Sequence, residues 1–506
     1  MEVAAIDDLA RPSQGSDEIR QGVGHRRTPD DQHSRRSEHW LDEEEYVLKM
    51  YPTNLFADDP VAKMGQVEKM AGVKKVVGID GNAVVVIADT YWNAKSALEK
   101  LPVEWDFGKN GTVQQDDITA MLKEGLTATE AFVGNKVGDA KAAIEGAAKK
   151  VEATYSFPYQ HHVTMEPMNA TARFTADKCE VWCGTQNGEA ALAAAAEAAE
   201  LPVAKCEVYK QMLGTGFGRR GRTDYVRQAV LIAKQMPGTP VKMIWSREED
   251  MTHDFYRPAG AARLQAVLSA RGRWEALVVH SAGDAITPRH MARAMPKLAG
   301  PLAGKFDLPD KTTAEGLYDL PYEIPHQRMA HTATRSGVPV GYWRSVGHSH
   351  NAFFSESFVD EVAHAAGADP VAFRLQALTR HPRHARVLQL AAQRAGWGQP
   401  LPAGVARGVA LHESFGSIVG LVAEVSEGED GVPRIHRVFA SIDCGVAVNP
   451  NLVSQQLESS VVFALSAALY GRISFKGGAV EQGKDTQLFV KLTSSGAGPD
   501  RKSTRL

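Results

Sequence analysis

From Lys178 onward the chain alternates in a way that leaves few folds open. "KCEVWCGTQ" reads as a strand, "GEAALAAAAEAAEL" as an alanine-rich helix and "AKCEVYKQML" as a second strand. A glycine loop, "GTGFGRRGRTDY" (Gly214 to Tyr225), then leads into a helix over Asp224 to Gln235. "VKMIW" follows as a strand, and Ser246 with Glu249 three residues later forms a capping box that starts another helix. Alternation of this kind stacks helices on a sheet, so the fold class is mixed α/β.

The glycine loop decides what such a fold can hold. A dinucleotide fingerprint needs G-x-G-x-x-G, with the third glycine packing helix against strand and an acid about 20 positions later for the ribose. Here the order is Gly214-Thr-Gly216-Phe-Gly218, so the third glycine comes one residue early and Arg219 and Arg220 follow. The spacing argues against NAD. What remains is backbone amide able to face an oxyanion, an expected helix N-terminus nearby, and Phe217 held between two glycines. That suits an anionic cofactor whose reactive end lies beside an aromatic wall.

The 506 residues are enough for two or more domains, and 43% hydrophobic content with 23% charged residues excludes disorder of the whole chain. A net charge of -3 supplies no basic field for nucleic acid or an anionic membrane. The four cysteines, Cys179, Cys183, Cys206 and Cys444, lack the paired spacing of an iron-sulfur or zinc site and read as buried free thiols. No run of 18 apolar residues predicts a membrane span, and no leader predicts export, which leaves cytoplasm and periplasm both open.

Residues 1–45 are rich in charge and read as a disordered or foreign leader. Order is expected from Gly72: strands at Lys74 to Ile79 and Ala83 to Ala88 around "DGN", a helix over Trp92 to Leu101, and a strand in "PVEWD". "GLVAEVSE" and "PRIHRVFASID" around "GEDG" predict a hairpin. A helix is expected over Ala352 to Ala366, ending at Gly367, and a long apolar helix after the Asp443 turn. Residues 483–506 read as a tail with no periodic apolar face.

Several blocks in order carry a resemblance: "ADTYWNAKSALEKLPVEWD", "MEPMNATARF", "GTQN" with Gln186, "GTGFGRR", "VKMIWSREEDMTHDFYRP", "GYWRSVG" with Arg344, and "DCGVAVNPNLVSQQLESS" with Asp443. Over roughly residues 60 to 482 the chain resembles the large molybdenum-binding subunit of the xanthine oxidase family, most closely its bacterial branch of isoquinoline 1-oxidoreductase β-subunits. The resemblance implies a small hammerhead-like α/β domain over 46–150 and an incomplete molybdopterin-binding domain over 151–482. It implies oxidative hydroxylation of an N-heteroaromatic or an aldehyde, with water as oxygen source. The cofactor would be molybdopterin cytosine dinucleotide, its molybdenum held by the pterin and by no protein side chain. The [2Fe-2S] clusters would lie on a small partner subunit. By the same resemblance Gly214, Gly216, Phe217, Gly218 and Arg219 would meet the cofactor, Gln186 an apical oxo ligand, and Arg344 would lie beside the active site; from spacing alone, Arg219 and Arg220 could equally face cofactor phosphate or pair with the acids of "REED".

The chain also departs from that pattern. Purine-oxidising members carry an acid where Gly221 stands, and the glycine pair after "Q-x-E" (Gln456 to Glu458) is replaced by Ser459 and Ser460, which would restrain a backbone turn. No block matches the one that carries the general-base glutamate, so no catalytic residue is assigned. A family half-domain expected before residue 60 has no counterpart either. The chain therefore reads as a fragment truncated at both ends, and the alternative function is a non-catalytic, cofactor-binding remnant.

The remaining polar groups read as structural. The His161-His162 and His348/His350 pairs lack an acidic or cysteine partner, the Glu356, Asp360 and His364 stripe reads as a hydrogen-bonded helix face, and Glu166 as a structural hydrogen bonder.

Overall fold

The computed structural model describes residues 67–482 except 80–82, 102, 107–110, 130, 289–309 and 429–430, together with the strands Glu2–Ala5, Glu45–Met50 and Asp58–Ala62. The tail expected at 483–506 and most of the leader expected at 1–45 lie outside the described residues. Within that leader, Glu2–Ala5 forms an edge strand parallel to Phe439–Ile442.

The alternation folds as read, with shorter elements: strand Cys179–Cys183, helix Gly188–Ala199, strand Cys206–Lys210, helix Asp224–Ala233 and strand Val241–Ile244. Asn187 starts the alanine-rich helix by accepting the Ala190 N–H at 3.1 Å. Glu200, in the left-handed conformation at φ 58°, ends it. Ser246 likewise accepts the Glu249 N–H at 3.1 Å and starts Arg247–Thr252.

These strands enter a seven-stranded sheet ordered Cys206–Lys210, Cys179–Cys183, Asn169–Phe174, Val241–Ile244, Glu45–Met50, Ala83–Ala88, Val73–Ile79. The sheet runs across the boundary expected at residue 150: Glu45–Met50 pairs in parallel with Val241–Ile244 and joins the small unit to the large one. Ala83–Ala88 shows why: all six residues are buried, so the strand needs cover on both faces. Val84 and Val86 pack with Ala94, Ala97 and Leu98 of helix Tyr91–Leu98. Val85 and Ile87 belong to the core of Tyr225, Val226 and Ala229. Phe132–Val137, also assigned to the small unit, is an edge strand of a five-stranded sheet with His326–Thr334, Trp274–Asp284, Gly260–Leu268 and Lys150–Phe157.

The expected hairpin is present, Ser417–Glu427 pairing antiparallel with Pro433–Asp443. Helix His348–Ala365 starts four residues before the expected Ala352, and Gly367 at φ +67° follows its end. The last long helix is Pro450–Leu469, capped by Asn449, whose Oδ1 accepts the Leu452 N–H at 3.2 Å. By length and composition this helix could cross a membrane, which the apolar-run criterion did not register because Gln455, Gln456 and Glu458 interrupt the run. It buries only Leu457, Val461 and Ser466.

Candidate functional site

Two walls form the site. The first stands at the carboxyl ends of the parallel strands Cys179–Cys183 and Cys206–Lys210, where open α/β sheets bind ligands. Gln186 leaves the first strand and the glycine loop leaves the second. The Gln186 Oε1 accepts the Gly218 N–H at 3.1 Å, and no hydrogen bond from its amide NH2 is found among the described residues. Side chains are excluded at both central glycines: a Cβ on Gly216 would stand 2.4 Å from Gln186 Oε1, and one on Gly218, at φ +106°, only 1.7 Å from the Tyr342 carbonyl. Thr215 and Phe217 hold positive φ, at 70° and 53°, where β-branched and bulky residues are outliers.

Buried ion pairs clamp this wall from behind. Arg220 is fully buried and donates to Glu166 Oε2 at 2.7 Å, Thr215 O at 2.9 Å and Gly184 O at 3.2 Å. Glu166 also accepts the Gly214 N–H at 3.1 Å, so the structural role read for it holds. Arg219 meets Asp224 through two bonds of 2.9 and 2.8 Å, and Asp254 at 3.1 Å. Of the two readings left open for Arg219, the structure shows acid pairing, though with Asp224 and Asp254 and not with the "REED" acids: carboxylates hold its guanidinium under the loop. Asp254 also accepts from His162, whose other nitrogen lies 2.9 Å from the Tyr342 carbonyl. His162 and Arg219 together hold the Asp254 carboxyl down at about 2 against its burial. Burial with the Asp254 charge pushes Asp250 up to about 6, against the opposing pull of Arg247, its ion-pair partner, and of Arg219 and His162. The expected helix dipole is not presented either, since the turn Arg219–Gly221 stands before helix Asp224–Ala233, whose first turn already holds Asp224.

The second wall is the loop Gly341 to Gly347 with one face of helix Pro450–Leu469. Arg344 is half-buried and donates to Ser459 Oγ at 3.1 Å, Gln456 O at 3.2 Å and Gln456 Oε1 at 3.1 Å. No carboxylate pairs with it among the described residues, and burial alone draws its guanidinium down from its usual range. Ser459 therefore meets a cation inside a regular helix; it restrains no turn. Ser345 and Val346 also hold positive φ, at 69° and 48°. Among the described residues, four of the seven non-glycine residues with positive φ thus flank this cleft, as strained backbone at functional sites does. Phe463 stacks between Phe217 and Trp343 at 4.4 Å from each, so one face of the expected aromatic wall is covered.

A cleft of about 540 Å³ lies between the walls, lined by Gln186, Gly216, Phe217, Gly218 and Arg344 among others. Gly214 stands outside it on Glu166. Tyr342, Trp343, Ser345 and Val346 also line it and went unread, although they lie in the Arg344 block. Gln456, Ser459 and Phe463 fall at i, i+3 and i+7 on one helix face, a spacing that would have revealed them. Asp443 is held instead by Arg383, at 2.8 and 2.7 Å, and serves to close its strand. Gly221 has open space where a Cβ would stand, so no crowding keeps an acid from that position.

Among the described residues no three His, Cys, Asp or Glu form a metal-binding group. All four cysteines are free, and burial raises the thiols of Cys179, Cys183 and Cys206, which favours the protonated form. Glu356 accepts from Arg374 at 3.0 Å and from Tyr322 at 2.7 Å, a structural brace as read. The donor set instead fits a cofactor held by amides: a free carboxamide NH2, closely packed glycine backbone and a cation with no internal acid.

Residues 124–378, half of the chain, match the model of the molybdopterin cofactor-binding domain. The chain is 27% identical over 436 residues to the beta subunit of isoquinoline 1-oxidoreductase from Brevundimonas diminuta, covering 82% of this chain and 54% of that protein. To a nicotinate dehydrogenase subunit from Pseudomonas putida it is 27% identical over 432 residues, covering 81% of this chain and 35% of that protein. It thus spans about half the length, or less, of these relatives. In fold it is similar to quinoline 2-oxidoreductase from Pseudomonas putida, with a TM-score of 0.57 and 16% identity, covering 79% of this chain and 57% of that one. The chain belongs to the molybdopterin cofactor-binding domain family.

Proposed function

We propose that this chain is the cofactor-holding part of a molybdenum hydroxylase large subunit acting on an N-heteroaromatic or an aldehyde. One observation carries the reading: Gln186, the Gly216-Phe217-Gly218 turn and the unpaired Arg344 converge on one cleft. When bound, the cofactor supplies two-electron redox chemistry at molybdenum, with water giving the oxygen inserted into the substrate. The Gln186 NH2 would donate to it, the glycine backbone would lie against it, and Arg344 would complement its negative charge. The Arg219 and Arg220 pairs hold the loop in place before the cofactor arrives, so binding need not order it. We further propose the cytosine dinucleotide form of the pterin, and a small iron-sulfur subunit as partner to take the electrons, since the chain has no cysteine pattern for clusters.

A second reading has its own observation. No Asp or Glu lines the cleft, so a base for the reaction would have to come from outside the described residues. On that reading the chain binds cofactor and does not turn over. Both readings are tested by coexpression with an iron-sulfur partner in a host that makes the dinucleotide pterin. Stoichiometric molybdenum and CMP after acid hydrolysis, with oxidation of quinoline or benzaldehyde, supports the first reading; cofactor without turnover supports the second; no molybdenum overturns both.

A further inference from the structure

A second cavity, of about 560 Å³, opens beside the cleft and shares Trp343, Arg344 and Ser345 with it. Phe157, Trp343, Phe353 and Phe463 stand in its walls, and no Asp or Glu lines it. Arg257 also lies in the wall, only 7% exposed. Its guanidinium sits between two rings, 4.9 Å from the centre of Phe157 and 5.0 Å from that of Trp343. One long contact, 3.5 Å from Nη2 to the Pro158 carbonyl, is its only hydrogen bond among the described residues, and Nε makes none. Burial with no acid to offset it draws this guanidinium down to about 9, so it stays charged at neutral pH.

Three arginines buried more deeply still, Arg219, Arg220 and Arg374, show the alternative: each meets at least one carboxylate. A buried charge without a partner is costly, and a protein that keeps one at a cavity wall has left its counter-ion to be supplied. Arg344 is the weaker candidate in this cavity: it is only half-buried, and Gln456 and Ser459 already take part of its hydrogen-bonding capacity. Nor does His350, which stacks on Phe157 and is kept neutral by burial and by the Arg257 charge.

We propose that Arg257 anchors a small-molecule site in this cavity, and that its ligand is a planar aromatic acid, carboxylate on the guanidinium and ring against the aromatic walls. The volume is that of a small-ligand pocket, and its mostly apolar lining with one convergent charge is what such a ligand needs. As the substrate site of the reaction it rests on the reading of the neighbouring cleft given above; as a binding site it does not.

The purified full chain is titrated calorimetrically with benzoate and with its neutral counterpart benzamide. Benzoate is expected to bind at least about tenfold more tightly. Arg257→Met should abolish the preference without lowering the melting temperature, because it deletes an unpaired buried charge. Arg257→Lys should keep a weaker preference, and Arg344→Met should leave it intact. Equal binding of the two probes, binding of neither, or a preference that follows Arg344 overturns the proposal. So does a lower melting temperature for Arg257→Met, which would mean that a carboxylate of the polypeptide already occupies the place. No molybdenum or pterin enters these titrations, so their outcome is separate from that of the cofactor assay.

Discussion

The two walls of the cleft both rely on arginine and use it in opposite ways. Under the glycine loop, Arg219 and Arg220 are buried against Asp224, Asp254 and Glu166, and their charge is spent on holding backbone. Across the cleft, Arg344 meets neutral oxygens of Gln456 and Ser459, and in the cavity beside it Arg257 meets two rings and one distant carbonyl. A guanidinium that finds a carboxylate inside the fold is part of the frame; one that finds none is available to a ligand. Proximity to a glycine motif does not make that distinction, and the counter-charge does.

On stability, the largest effect should come from breaking the frame. Asp254→Ala leaves Arg219 and His162 without their shared acid and should cost about 3–5 kcal/mol in chemical denaturation. The Asp254 carboxyl, held at about 2 and below its unfolded value, stabilises the fold above about pH 4, and this contribution is lost as pH falls toward 2. The deficit of the variant should therefore shrink in strong acid; a deficit independent of pH would remove Asp254 from the frame.

Gly218→Ala should cost about 3 kcal/mol, from a strained φ and a contact that Tyr342 must yield. Asp250 sharpens the comparison within the frame itself. Its folded value, about 6, lies above the unfolded one, so its favourable contribution is complete below about pH 4 and is lost as pH rises through 6. Asp250→Asn should accordingly raise the melting temperature at pH 8 and lose that advantage by pH 4. The smallest stability change is expected for Arg344→Met, within about 1 kcal/mol, combined with loss of retained molybdenum after coexpression. A large loss of stability there would erase the distinction between the two walls.

Local order was legible in the sequence and counter-charges were not. The strands around Cys179 and Cys206, the alanine-rich helix and the cap at Ser246 depend on neighbours a few residues away, and each appears within a few residues of its expected place. Spacing left Arg219 and Arg220 open between cofactor and acid because the acid at Asp254 reaches Arg219 through the tertiary fold, and Arg220 pairs with Glu166 across 54 positions. Trp343 was passed over although it stood next to Arg344, since nothing local says that an aromatic will stack on Phe463. Sheet order was illegible for the same reason: composition reveals a strand such as Ala83–Ala88 but not which strand will lie beyond its neighbour.

The parallel pairing of Glu45–Met50 with Val241–Ile244 has a consequence for biosynthesis. On the ribosome the early strand can pair with Ala83–Ala88 soon after it emerges, but its other edge must wait for a partner made nearly two hundred residues later. At ordinary translation rates that wait lasts on the order of ten to forty seconds, with one row of backbone amides and carbonyls unpaired. Nascent chains stalled before and after Val241–Ile244 should differ sharply in protease resistance and in demand for chaperones, because the small unit becomes a finished sheet only when the large one closes it.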